Sequence, residues 1–284
     1  MSFLSPGAWR GFIQMVKRED HKGTRFFAIT RESSSSASFN KTMENYGWTV
    51  LFLKSIIITP KPYLEIERLV SRIIQNDYDA CVFLSGNAVD ALMTNSDKTG
   101  NRPALVSKLS SIKTVCIGPR TREKLSHYGI DSVIMPERYN THGIIECLSS
   151  YDDHLHKIVV PRSQLGDSKI TLSLSKLGIS VEQFHLYDIS TNPTIDGEWK
   201  WFFNLLRGRN VDAVGFTSPS SVRALFQITK RRVGYDELAY LRQMKGLISI
   251  GHKTTIELRK HTSGPIIEAV EHTLNGIVEA SRLI

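Results

Sequence analysis

The chain has 284 residues, 41% of them hydrophobic and 23% charged, with a formal net charge of +8 and a pI near 9.4. That length exceeds one ordinary core and suits two domains of about 130 residues each. The composition excludes a long disordered segment, and no apolar run approaches the ~18 residues of a membrane span. The surplus of positive charge favours an anionic partner without choosing among nucleic acid, membrane surface and polycarboxylate metabolite.

In chain order, Met1–Arg10 carries Pro6 and Gly7 but neither a basic nor an apolar signal region, so the expectation is a cytoplasmic protein whose first 22 residues form a short, partly ordered arm. Phe26–Thr30 reads as a strand, Phe39–Tyr46 as a helix stopped by Gly47, and Thr49–Leu53 as the next strand. Asp79–Leu84 is a strand that breaks at Ser85-Gly86-Asn87 into a helical pattern, and a second junction follows at Gly118-Pro119-Arg120-Thr121. Asp152, Asp153, His154 and His156 form an acid and imidazole cluster in a predicted turn, without a second ligand group at metal spacing. Ile158–Val160, then Ile170–Leu177 with Gly178, then Ser180–Tyr187 repeat the strand, helix, strand order of the first 53 residues. Two further junctions close the chain, Thr217-Ser218-Pro219-Ser220-Ser221 and Gly251-His252-Lys253-Thr254-Thr255.

The order repeats because the chain is duplicated. Asp79–Leu92 aligns without gaps on Asp212–Leu225, with seven of fourteen positions identical. The offset of 133 persists at Ile117-Gly118 on Ile250-Gly251, Thr121 on Thr254, Leu125 on Leu258 and Gly143-Ile144 on Gly276-Ile277. Upstream, Arg31 falls on Arg162 and Gly47 on Gly178 at an offset of 131. Each copy alternates strand and helix, which predicts an α/β protein with parallel sheets covered by helices. Parallel sheets bind ligands at the carboxyl ends of their strands, where the four polar junctions fall. There a Ser, Thr or Asn can cap the following helix while the remaining first-turn N–H groups attract carboxylates or phosphates.

Other signals point to structure. Cys81, Cys116 and Cys147 show neither a metal nor a redox spacing and read as buried thiols. Basic clusters at Arg207–Arg209 and Lys230–Arg232 read as solvated helix ends, lacking the aromatic interleaving of a single-strand platform. No GxSxG elbow, P-loop or GxGxxG is present.

Thr30-Arg31 after the first strand, Leu186-Tyr187 closing another, Phe216-Thr217-Ser218-Pro219-Ser220-Ser221-Val222 and Ile250-Gly251 with Thr254 together resemble the uroporphyrinogen-III synthase family over about residues 22–284. The resemblance implies two similar flavodoxin-like or Rossmann-like lobes joined by a two-stranded β-ladder, with the active-site cleft between them. Lobe 1 is then 1–50 plus 193–284, lobe 2 is 60–184, and 51–59 and 185–192 are the bridging strands. It implies a cyclising lyase that converts hydroxymethylbilane to uroporphyrinogen III, with no metal or other cofactor. Tyr187 is the implied assisting residue, as proton donor or as hydrogen-bond partner of the leaving hydroxyl. An octacarboxylate substrate would be held by Ser85, Gly86, Gly118, Arg120, Thr121, Thr217, Ser218, Pro219, Ser220, Ser221, Gly251, Lys253 and Thr254. Arg31 and Arg162, each read as following a strand end, would serve as carboxylate clamps. The implied partners are that small molecule and a transient handover from hydroxymethylbilane synthase, with no nucleic acid, no membrane and a monomeric state. The other reading is a non-catalytic two-lobed binding or regulatory protein for a tetrapyrrole or another polyanion.

Overall fold

The structure is a computed structural model that describes residues 23–33, 37–75, 77–150, 155–164 and 169–284. The amino-terminal arm, Ser34–Ser36 and most of the Asp152–His156 cluster lie outside the described residues. The chain divides into two units, one of residues 1–57 with 191–284 and one of residues 58–190.

The first unit is built on a parallel sheet of β1 (Arg25–Ile29), β2 (Trp48–Phe52), β9 (Ala213–Phe216), β10 (Leu247–Ser249) and β11 (Ile266–Glu268), in the order β11-β10-β9-β1-β2. This is the flavodoxin-like order, in which the chain starts in the middle, steps outward once and then continues on the other side. Both faces are covered, and β1 shows why the sequence demands it. Phe26 and Ala28 enter one apolar cluster with helices Gly197–Arg207 and Pro219–Arg232, while Phe27 and Ile29 enter another with Ala37–Asn45 and Leu274–Ser281. Four consecutive apolar residues alternating between two cores require a strand buried on both sides.

The second unit repeats the plan with β4 (Ala80–Phe83), β5 (Lys113–Cys116), β6 (Val133–Ile134), β7 (Lys157–Ser163), β8 (Ser180–Thr191) and β3 (Ile56–Pro60), in the order β3-β8-β7-β4-β5-β6. Cys81 and Phe83 face helices Tyr63–Ile74, Gly86–Thr99 and Arg102–Ser111, while Ala80 and Val82 face Thr141–Ser149 and Lys169–Ser175. The segment 51–59 comprises the end of β2 and most of β3. The Lys61 N–H donates to Leu186 O and the Asn192 N–H to Ser55 O, so β3 and β8 run in opposite directions.

Two devices recur at matched positions. Asp79 accepts the His156 and Lys157 N–H groups, both at 2.8 Å, and Asp212, 133 residues later, accepts the Phe26 N–H at 2.7 Å. Each carboxylate pins the start of the neighbouring strand, and so fixes the register in which the two strands enter the sheet. Gly47 and Gly178 each adopt φ of 78°, the left-handed stop that lets the helix before β2 or β8 turn back into the sheet. Cys81 and Cys116 are buried as expected, whereas Cys147, in helix Thr141–Ser149, is only half-buried.

Candidate functional site

The four polar junctions all lie at the carboxyl ends of their strands, and they divide into two kinds. After β4 and β9 a serine caps the helix. Ser85 Oγ accepts from the Ala88 N–H at 3.3 Å, and Ser218 Oγ accepts from the Ser221 N–H at 3.1 Å. Ser221 completes a reciprocal box by accepting the Ser218 N–H. After β5 and β10 the capping position is Gly118 or Gly251, and no side chain caps either helix. The expectation of a Ser, Thr or Asn cap at all four junctions is corrected here. A glycine occupies the cap, and Thr121 and Thr254, two residues into the helix, are buried.

What the two glycine starts offer is backbone. Pro119 has no N–H, and the Thr121 and Thr254 N–H groups already donate to Gly118 O and Gly251 O at 3.0 and 2.9 Å. The donors these first turns offer at the positive end of the helix dipole are therefore the N–H groups of Arg120, His252 and Lys253. At each start an exposed ring lies over the glycine: a Cβ built on Gly118 would come 3.2 Å from Tyr139 Cγ, and one on Gly251 would come 2.7 Å from His272 Cδ2. The two rings are themselves 133 residues apart, each just before the next helix cap, Asn140 or Thr273. Reading the sequence missed them. The constant offset was the available signal, but Tyr and His do not match by identity.

In the second unit, Tyr187 Oη lies 3.0 Å from Ser85 Oγ, so two residues 102 positions apart meet in one hydrogen bond. Tyr187 is only 3% exposed. It lines a cavity of about 310 Å3 together with Lys61, Tyr63, Asn87, Asn95 and Lys98. Lys61 is held at 2.8 Å by Asp188, the residue after Tyr187, in an ion pair between residues 127 positions apart that no local pattern announces. Gly86 begins the helix that Ser85 caps, and Arg120 is exposed in the first turn of Pro119–His127. Arg162 departs from expectation. It lies within β7, which runs on to Ser163 along the long partner β8, and its side chain is 5% exposed and donates to Gln183 at 2.7 Å. Arg162 therefore does not follow a strand end, and its guanidinium is buried against the neighbouring strand.

In the first unit, a residue outside the predicted set holds the site together. Buried Thr30, just after β1, donates to Ser221 Oγ at 2.9 Å and accepts the Thr217 N–H at 3.2 Å, while the Thr217 hydroxyl donates to Thr30 O at 3.0 Å. This network bridges β1 and β9, the point where the strand order reverses and where such sheets open a crevice. Ser221 is fully buried, so its hydroxyl serves the cap and Thr30, whereas Thr217, Ser218, Pro219 and Ser220 are half-buried. Arg31 follows β1 and is half-buried, Gly251 is buried, and Lys253 is exposed in the first turn of His252–Arg259. Among the described residues no three His, Cys, Asp or Glu side chains gather as a metal site, and no helix is long and apolar enough to cross a membrane.

Two flavodoxin-like sheets with matched polar strand ends define a duplicated α/β protein. Comparison narrows the class. The model of the HemD uroporphyrinogen-III synthase family matches residues 37–279, and the chain belongs to that family. It is 26% identical to a provisionally named uroporphyrinogen-III synthase of Methanothermobacter thermautotrophicus, over 82% of this chain and 88% of that one. It is 23% identical to the uroporphyrinogen-III synthase of Synechococcus elongatus, over 88% and 92%. Among solved structures it is similar in fold to a mutant uroporphyrinogen III synthase from Thermus thermophilus, with a TM-score of 0.64, 16% identity and coverage of 92% and 98%. The synthase of Helicobacter pylori gives a TM-score of 0.55 at 17% identity, covering 92% and 99%.

Proposed function

We propose that this protein closes hydroxymethylbilane to uroporphyrinogen III, inverting ring D and releasing the terminal hydroxyl as water. Protonated and lost as water, that hydroxyl leaves an electrophilic azafulvene on the terminal ring, which an electron-rich pyrrole carbon attacks readily. That attack is fast in itself, and the isomer formed is decided by which ring D carbon makes it, so positioning outweighs acid–base work. The observation that carries the reading is buried Tyr187, bonded to Ser85 Oγ and lining a cavity with Lys98, Asp90 and the Asp188-paired Lys61. In this reading the tyrosine donates to, or hydrogen-bonds, the departing oxygen, and Lys98 attracts a substrate carboxylate.

The uncapped helix starts at Gly118 and Gly251 supply backbone donors for further carboxylates, with Arg120 and Lys253 in the same first turns. In this reading the protein is a cytoplasmic monomer that needs no metal or other cofactor, and takes its unstable substrate by transient handover from hydroxymethylbilane synthase. The test is a coupled assay in which hydroxymethylbilane is supplied, the product oxidised and the porphyrin isomers separated. Isomer III well above the no-enzyme control supports the synthase. Isomer I alone, from protein with an intact fold, overturns it in favour of a binding role.

A further inference from the structure

Two of the three further cavities have carboxylates in their lining. One of about 830 Å3 contains Arg72, which pairs with Glu182 and Asp77. Another of about 530 Å3 contains Glu268, which accepts from Thr255, and Glu279, which pairs with Arg282. The third, of about 540 Å3 in the first unit, is different. It is lined by Ile195, Lys200, Phe203, Asn204, Arg207 and Arg232, with no carboxylate among them.

Here the two basic clusters of the sequence converge, since Arg207 closes helix Gly197–Arg207 and Arg232 closes helix Pro219–Arg232. Arg207 donates to Asn204, a neutral group, at 3.0 Å, and none of the three cations forms an ion pair among the described residues. Helix dipoles account for Arg207 and Arg232, because a cation at a helix carboxyl end is favourable. They do not account for Lys200, which sits in the first turn, at the positive end of its helix. Three exposed cations around one cavity whose lining holds no carboxylate make a region of positive potential that favours an anion between them. Phe203, 5% exposed, and half-buried Ile195 give that anion an apolar floor. Helix Gly197–Arg207 leads into the amino end of β9 and helix Pro219–Arg232 starts at its carboxyl end, so the helix ends that carry Arg207 and Arg232 lie toward the amino ends of the strands, away from the junctions of the same unit.

We propose that this cavity is a second anion site, taking a small molecule with two or more phosphoryl or carboxylate groups. It is independent of the reaction proposed above. Inorganic pyrophosphate and citrate, titrated separately into the full chain and followed by amide NMR, distinguish the two chemistries. The expected result is that one or both move the amides of Asn204, Arg207 and Arg232, with a Kd that rises with salt. Lys200→Ala combined with Arg232→Ala then weakens binding about tenfold. Lys200→Glu, at one exposed position, gives the same loss if the double variant folds poorly. No movement of these amides at millimolar anion, or movement that both variants leave unchanged, overturns the proposal.

Discussion

The two units have the same strand order but finish their strand ends differently. In the first, the reversal point between β1 and β9 is closed by Thr30, whose hydroxyl donates to Ser221 Oγ and accepts the Thr217 N–H. In the second, Ser85, the equivalent of Ser218, shares its hydroxyl with Tyr187 from β8, which lines a cavity. Ala88 stands where the first unit has Ser221, so no reciprocal box forms at Ser85. One scaffold thus carries a self-satisfied polar end and an open one. A duplicated fold keeps what sets register and frees what does not.

The comparison is broken or sharpened first at the glycines that both copies share. A Cβ on Gly143 would lie 2.1 Å from Arg138 O, and one on Gly276 would lie 1.9 Å from Glu271 O. Gly143→Ala and Gly276→Ala should each cost on the order of 3 kcal/mol by urea denaturation, since backbone cannot yield as a side-chain tip does. A large loss in one copy and none in the other would break the equivalence.

The caps come next. Ser218→Ala, which removes half of a reciprocal box, should cost about 2 kcal/mol and Ser85→Ala about 1 kcal/mol, the upper and middle of the usual range. Equal losses would mean that the box adds nothing. Tyr187→Phe should cost about 1 kcal/mol of stability by loss of the Ser85 bond, and lower kcat for isomer III about tenfold if the hydroxyl assists departure. The matched control is Thr30→Val. It disturbs only the first unit's network and should leave the Tyr187 contribution unchanged in a double-variant cycle.

The smallest effects are in pH dependence, where the units have opposite signs. In the second unit, the hydrogen bond from Arg72, joined by that from Tyr78, holds the Glu182 carboxyl below the usual range against its partial burial. Its contribution is therefore complete above the ordinary glutamate value and is lost as pH falls through the lowered folded one. In the first unit, burial pushes Glu198 up, against the Phe52 N–H that it accepts. Its folded form holds the proton more tightly, so stability declines as pH rises from the ordinary glutamate value through the raised one. Urea midpoints from acid to neutral pH should show Glu182→Gln destabilising only toward neutrality. Glu198→Gln should become relatively more stable there, and the reverse pattern would refute both assignments.

Much of this was legible in the residues. The offset of 133 reveals matched local structure because a strand, a polar junction and an apolar helix face are encoded by residues close in sequence. Gly47 and Gly178 marked their helix stops for the same reason, as did Ser85 and Ser218 their caps. The character of the glycine starts was harder to read. A threonine in the first turn resembles a cap in sequence, and only packing shows that Thr121 and Thr254 point inward.

The sequence by itself determined that the chain contains two copies of one βα pattern, where their polar strand ends fall, and that both faces of each sheet must be covered. The tertiary structure decided which strands share a sheet. β1 and β2 join β9–β11, while β7 and β8 join β4–β6, so each unit combines strands from both copies. It also decided that Tyr187 meets Ser85, that Lys61 meets Asp188, and that Arg162 is buried against Gln183. Throughout, strand pairing and side-chain partnership are set by backbone hydrogen bonds and packing between residues 21 to 191 positions apart, and two copies of one pattern offer similar local structure to either partner.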